Sequence, residues 1–287
     1  MRSCKIQKKA VSVLLACVFA LVGAITVFNV GTVTGAAETV YYSDTDYTGG
    51  TMQDADEYIY RDSYTVDTSN VNYEAPSYGN SDASIKNFCA VTAGTNIAVF
   101  YDKTYTNLVP NFEPGMLING IFTYYPDLNW TQTRQVFYTL YDDMKTNQSG
   151  IGTSGSNFKS GLQAYAARQG YDLTFSSMYS SSTNVNLTTF GNAVKADKVG
   201  VLLLSKYNYI YTIIHEEDRT FISKATSNGA HIMMVYGYIK INYYNDGELF
   251  RTDTFLQASS GFSSGDQGYI KVDDYLTIEE ALIVNIS

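Results

Sequence analysis

Asn87-Phe88-Cys89-Ala90-Val91-Thr92-Ala93-Gly94-Thr95-Asn96-Ile97-Ala98-Val99-Phe100-Tyr101-Asp102 is the stretch on which the reading of this chain turns. Ala93, Ile97 and Tyr101 recur every four residues, and Ala90, Gly94 and Ala98 fill the adjacent row. That spacing predicts a helix with one small-to-apolar stripe and a cysteine in its first turn. A thiol there sits at the positive end of the helix dipole, beside backbone N–H groups without intrahelical partners. Such surroundings favour the nucleophilic thiolate. A free cysteine also serves as a small buried hydrophobe, so the helix alone leaves both readings open.

The start of the chain narrows the choice. Arg2, Lys5, Lys8 and Lys9 precede an almost continuous apolar run over residues 10–30, and Gly35-Ala36-Ala37 supplies small residues before Glu38. This order predicts a signal peptide over residues 1–37 and a secreted protein, or one on the outer surface of a bacterial cell. Left uncleaved, the run is long enough to span a bilayer, and only then is membrane contact expected. Leu14-Leu15-Ala16-Cys17 is similar to a lipobox, but the apolar run continues past Cys17. Removing the segment takes the balance from 19 basic against 28 acidic residues to 15 against 28, a net charge of −13, which excludes nucleic acid as a partner. It also takes Cys4 and Cys17, leaving Cys89 as a lone cysteine in an exported chain, unable to form an internal disulfide.

Residues 38–81 are rich in Tyr, Asp, Ser, Thr, Asn and Gly, with nine acids against Arg61 alone. Aliphatic residues are sparse and no period persists, which predicts an extended or partly disordered arm, either a solvated linker or a propeptide that masks a site. Residues 82–287 are enough for one domain. Residues 131–145 place Val136, Leu140 and Met144 on one helical face, residues 157–169 repeat the pattern with Phe158, Leu162 and Tyr165, and Gly170 supplies a stop. Phe190, Ala193 and Val194 predict a short third helix. Strand patterns then follow over residues 199–204, 209–214, 231–242, 252–258, 268–272 and 282–286, with a hairpin at Asn245-Asp246-Gly247. Helices first and an antiparallel sheet afterwards predict an α+β domain of two lobes. The domain holds neither a glycine-rich phosphate loop nor a His, Cys and acid cluster at metal-ligand spacing, so no cofactor and no metal is expected.

Cysteine nucleophiles need a base within hydrogen-bond reach, normally histidine, and the chain has two. His215 stands before the acidic run Glu216-Glu217-Asp218 and reads as a strand running into a solvated turn. His231 follows the small-residue turn Asn228-Gly229-Ala230 and opens the apolar strand Ile232-Met233-Met234-Val235, which can hold an imidazole rigidly at a cleft.

Three motifs together resemble bacterial papain-like cysteine peptidases, especially the C39-like branch. Asn87-Phe88-Cys89-Ala90-Val91-Thr92-Ala93-Gly94-Thr95-Asn96-Ile97 is similar to the nucleophile helix, and Gly229-Ala230-His231-Ile232-Met233-Met234-Val235-Tyr236-Gly237-Tyr238 to the general-base strand. Phe255-Leu256-Gln257-Ala258-Ser259-Ser260-Gly261-Phe262, followed by Gly268-Tyr269-Ile270, is similar to the next strand. His231 stands 142 residues after Cys89, within the range of about 130–150 for papain-type pairs. The resemblance implies a papain-like, two-lobed fold, a helical lobe carrying Cys89 against an antiparallel sheet lobe carrying His231. It implies an exported thiol protease acting on a peptide or protein substrate. Cys89 is the implied nucleophile and His231 the implied general base.

The chain departs from the family at two positions. Where the family has Asn or Asp to orient the histidine, this chain has Ser259, with Ser260 beside it; a hydroxyl orients an imidazole less firmly and adds little charge. Where the family has a Gln oxyanion donor, Ala83 stands, and Asn87 is the nearest amide. The alternative is therefore a catalytically weak or inactive scaffold serving as a secreted or surface binding module. The sequence leaves substrate specificity and oligomeric state open.

Overall fold

Val201-Leu202-Leu203-Leu204 is buried side chain by side chain, so a sheet built on it must be covered on both faces. The computed structural model describes residues 39–42, 52–71, 74–82, 84–263 and 265–287, all within the unit Thr39–Ser287. The expected signal peptide, with Cys4 and Cys17, lies outside the described residues, as does Ala83.

The chain opens with β1 (Tyr41–Tyr42), β2 (Gln53–Asp54), β3 (Glu57–Tyr60) and β4 (Ser63–Val71), and then forms α1 (Cys89–Asp102). A hairpin of β5 (Gly115–Ile118) and β6 (Ile121–Tyr124) leads to α2 (Thr131–Asp143), β7 (Thr153–Ser154) and α3 (Gly155–Arg168). The short strands β8 (Leu173–Ser177), β9 (Tyr179–Ser181) and β10 (Asn184–Val185) precede α4 (Leu187–Lys195). The long strands follow: β11 (Gly200–His215), β12 (Arg219–Ser227), β13 (His231–Asn245), β14 (Glu248–Ser259), β15 (Gln267–Val272) and β16 (Thr277–Ile286).

The two-lobed expectation is overturned. The structure is 44% strand against 21% helix and is dominated by one antiparallel sheet of ten strands. Strand β11 explains much of this. Its first half pairs with β13 and β16, its second half with β12 and β15, and β13–β14–β15 completes a closed circuit back to β11. The residue patterns over 199–204 and 209–214 are thus two ends of one sixteen-residue strand, irregular between Ile210 and Thr212.

The helices lie against this sheet. Val201, Leu203, Ile232, Met234 and Tyr236 share one core with α1, α2 and α3. Leu202, Leu204, Met233 and Val235 alternate onto the other face, beneath Phe190, Ala193 and Val194 of α4 and Ile278, Ala281 and Ile283 of β16. A sheet apolar on both faces recruits helices as cover, and that is why they form no lobe of their own.

All fourteen residues of α1 are buried, where the sequence predicts a single stripe. A Cβ on Gly94 would meet Met144 at 2.7 Å and Leu140 at 3.3 Å, so glycine lets α2 come close. On another side Asn96 makes a two-way bond with the Tyr78 backbone, accepting from its N–H at 2.7 Å and donating to its carbonyl at 3.1 Å. Thr95 returns its hydroxyl to the Val91 carbonyl. Asn96 and Thr95 are therefore satisfied inside the protein, whereas the buried Thr92 hydroxyl has no hydrogen-bond partner.

Composition predicted an arm over residues 38–81, but β2 and β3 pair with β12, and β4 pairs with β13 across seven registered positions. The anchor is a charged cluster in which Glu57 meets Lys224 at 2.9 Å, Arg251 at 2.7 Å and Lys271 at 3.1 Å. Burial alone would raise the Glu57 carboxyl, but the hydrogen bonds from Lys224 and Arg251 and the nearby positive charges outweigh it and hold it at about 2. The folded value lies below the ordinary 4.5, so this stabilisation is complete above about pH 4.5 and is lost as pH falls toward 2. Glu57→Gln should cost about 2 kcal/mol at pH 7 and progressively less toward pH 2.5, read from urea midpoints of both proteins across that range.

Candidate functional site

The chain enters α1 through Asn87, at φ 59°, a left-handed conformation that asparagine tolerates better than most residues. Asn147 fixes this entry: its amide donates to the Lys86 carbonyl at 2.9 Å and to the Tyr141 hydroxyl at 2.8 Å, and its oxygen accepts from Gly152 N–H at 2.7 Å. Phe88 then occupies the N-cap position, and no side chain caps α1, in contrast to Ser154 on α3 and Asn186 on α4. Cys89 is the first residue of the helix and is 2% exposed.

His231 is the first residue of β13 and is 1% exposed. The turn that delivers it is tied by Gly229 N–H donating to the Ser227 hydroxyl at 3.1 Å. Leu204 pairs opposite His231 on β11, so the backbone behind the imidazole is ladder-bonded. Its Nε2 lies 3.0 Å from the Ser260 carbonyl oxygen, and Phe262 packs on the ring at 5.0 Å between centroids, with Tyr207 at 6.0 Å. A carbonyl oxygen only accepts, so Nε2 carries the proton and, in the neutral ring, Nδ1 is the basic nitrogen.

The turn holding His231 also touches α1. Gly261 lies between the imidazole's acceptor, Ser260, and its packing partner, Phe262. At φ +75° a Cβ on Gly261 would meet the Thr92 side chain at 2.9 Å. Thr92 is three residues after Cys89, on the first turn of α1, and its N–H donates to the Phe88 carbonyl at 2.9 Å. Cys89 and His231 are thus joined through one turn of helix and one three-residue turn, each built at close contact.

Two sequence expectations stand differently in the structure. The Ser259 hydroxyl donates to the Pro76 carbonyl at 2.6 Å, and it is the backbone carbonyl of Ser260 that holds His231. The sequence expectation named the Ser259 side chain, and the structure puts the Ser260 backbone on the ring instead. Asn87, expected as an oxyanion donor, gives its side-chain amide to the Asn147 oxygen at 3.3 Å and belongs to the turn that starts the helix. His215 lies elsewhere, stacked on Tyr64 at 3.7 Å with Nδ1 2.9 Å from the Thr220 hydroxyl. Burial, with the Arg61 charge, pushes it below its ordinary value.

Tyr42 is the neighbour that sequence reasoning missed. Its strand β1 pairs with β7, Tyr42 opposite Thr153, and Tyr41 lies against Gly150 in the turn that Asn147 ties to residues 86 and 87. Burial first, then the charges of Glu279, Glu280 and Cys89, push the Tyr42 phenol above its ordinary value. A two-residue strand thus brings a buried ring into the electrostatic reach of the thiol. Tyr42→Ala is expected to raise the rate of Cys89 alkylation by iodoacetamide about tenfold, scored by intact mass against time.

Among the described residues, no group of three or more His, Cys, Asp or Glu is placed to hold a metal ion. No protein-family profile, curated protein or solved structure matches the chain.

Proposed function

We propose that the chain is an exported cysteine peptidase that cleaves peptide bonds by acyl transfer through Cys89 and His231. The observation that carries this reading is the fixed imidazole: His231 Nε2 donates to the Ser260 carbonyl, and the same turn packs on the helical turn that begins with Cys89. The resemblance of the motifs around residues 89, 231 and 259 to C39-like peptidases supports it independently of the sheet architecture.

In the proposed reaction the Cys89 thiolate attacks the carbonyl carbon of the substrate, and the carbonyl π pair moves onto oxygen. Backbone N–H groups in the first turn of α1 receive the oxyanion. His231, protonated at both nitrogens, gives a proton to the leaving amine as the tetrahedral centre collapses to a thioester. The neutral imidazole then takes a proton from water, whose oxygen attacks the thioester, and the thiolate departs with the carboxylic acid released.

A second reading, an inert scaffold used as a secreted binding module, is favoured by the burial of Cys89 and by Ser259 turning to Pro76. One experiment separates the two. The full chain and its Tyr42→Ala variant are incubated with a peptidyl epoxide between about pH 5.5 and 7 and weighed intact, beside Cys89→Ala and His231→Ala. The peptidase reading expects one adduct, absent in Cys89→Ala and strongly slowed in His231→Ala. Absence of an adduct, or labelling indifferent to His231, selects the binding module.

A further inference from the structure

We infer that Asp266 is the positioning residue of this site, acting on His231 through Ser260; the inference rests on the peptidase reading above. The loop between β14 and β15 runs from Ser260, next to the end of one strand, to Asp266, just before the other begins. The Ser260 hydroxyl donates to Asp266 Oδ2 at 2.5 Å and accepts from Phe262 N–H at 3.1 Å. The other oxygen of Asp266 accepts from the Tyr209 hydroxyl at 3.2 Å, and its backbone carbonyl accepts from the Ser77 hydroxyl at 2.9 Å. The carboxylate is therefore held at both oxygens, and through Ser260 it fixes two groups against the imidazole, the Ser260 carbonyl and the Phe262 ring.

The arrangement gives a physical answer to the serine that stands at residue 259 where the resembled family has Asn or Asp. A serine carbonyl is neutral and its direction is set by backbone torsions, so by itself it orients a ring weakly. Tying the same residue's side chain to a charged acceptor removes that freedom with a charge-assisted bond, the stronger kind. Tyr209 adds a second brace, its ring edge-on to Phe262 at 5.3 Å between centroids. Tyr207 on β11 is a titratable group against the His231 ring, with Tyr209 and Asp266 one contact further out. Of these, Asp266 is the carboxyl group bonded to the turn that holds Nε2.

The test is the pH dependence of Cys89 alkylation by iodoacetamide in the full chain. Asp266→Ala and Ser260→Ala are measured beside wild type, with His231→Gln and Ser77→Ala as references. Below about pH 6.5 thiolate depends on a well-placed imidazolium, whereas near pH 9.5 it forms by solvent ionisation alone. The expected result is a loss of about tenfold at the lower pH in both Asp266→Ala and Ser260→Ala, with less than about twofold change at the higher pH. Ser77→Ala, which removes a bond to the same loop but leaves the carboxylate on Ser260, should track wild type at both values. An equal loss at both pH values in Asp266→Ala would mark a purely structural role and overturn the inference. Wild-type low-pH reactivity in Asp266→Ala, with that reactivity lost in His231→Gln, would overturn the role of Asp266 and leave the peptidase reading standing. If His231→Gln also kept its low-pH reactivity, both would fall.

Discussion

Under the proposed peptidase reading, His231→Ala should lower kcat/KM for peptide hydrolysis by about three orders of magnitude, and His231→Gln should lower it by a similar factor. The two variants fail for the same chemical reason but differ structurally. Alanine removes the proposed base and also the donor to the Ser260 carbonyl at 3.0 Å, leaving a buried acceptor and a void beside Phe262 and Tyr207. That combination should cost about 2 kcal/mol of stability. Glutamine keeps an N–H donor of similar reach while abolishing proton transfer at neutral pH. Equal catalytic loss with unequal loss of stability is the signature of a base. Steady-state kinetics on a peptide substrate of the proposed activity, with urea unfolding of the same preparations, gives both numbers. Wild-type turnover by His231→Gln would remove the histidine from the reaction.

The second large effect concerns the fold that carries the site. Arg61→Met should destabilise the protein by about 3 kcal/mol. Arg61 is 4% exposed, between β3 and β4, and its guanidinium meets the Thr220 hydroxyl at 3.1 Å and the carbonyls of Glu216, Glu217 and Arg219 at 2.8 to 3.2 Å. It also sits over the Tyr64 ring at 4.5 Å. Those acceptors close the turn between β11 and β12, and without the guanidinium they lose a shared donor in a site methionine cannot hydrate. Were residues 53–71 a detachable arm, the substitution would leave the main unfolding transition where it is. Urea denaturation distinguishes a shift of the whole transition from none.

Much of the domain was legible. Where apolar residues keep one period, as Phe158, Leu162 and Tyr165 do on α3 or residues 231–242 do on β13, element and burial follow directly. The β13–β14 turn was readable because Asp246 and Gly247 both need positive φ, at 52° and 77°, and they are the residue types that adopt it. The first strands were not legible. In β3 only Ile59 turns a large aliphatic side chain inward, between the exposed Tyr58 and Tyr60, and the side-chain hydrogen-bond and ion-pair partners of Glu57 and Arg61 are residues more than 150 positions away. Charged composition reads as solvated when the partners of the charges are that remote in sequence.

Lobe architecture failed for a related reason. Element order cannot reveal that β11 is long enough to serve two sets of neighbours, and that property is what closes the strand circuit and pulls the helices onto the sheet. At the candidate site, spacing placed Cys89 on a helix and His231 on a strand, because both lie on regular elements. It did not resolve Ser259 from Ser260, or find Asp266, because a hydroxyl's direction and a loop's return are set by packing against Pro76, Ser77 and Tyr209.

The most direct measurement is the ultraviolet absorbance of thiolate in the wild type minus that of Cys89→Ala, followed from about pH 4 to 10, which needs no reagent to enter a buried site. A thiolate–imidazolium pair predicts a thiolate signal already present near pH 6 and abolished there by His231→Gln. A thiolate that appears only around pH 8.5 or above, and in the same way with or without His231, would contradict the account.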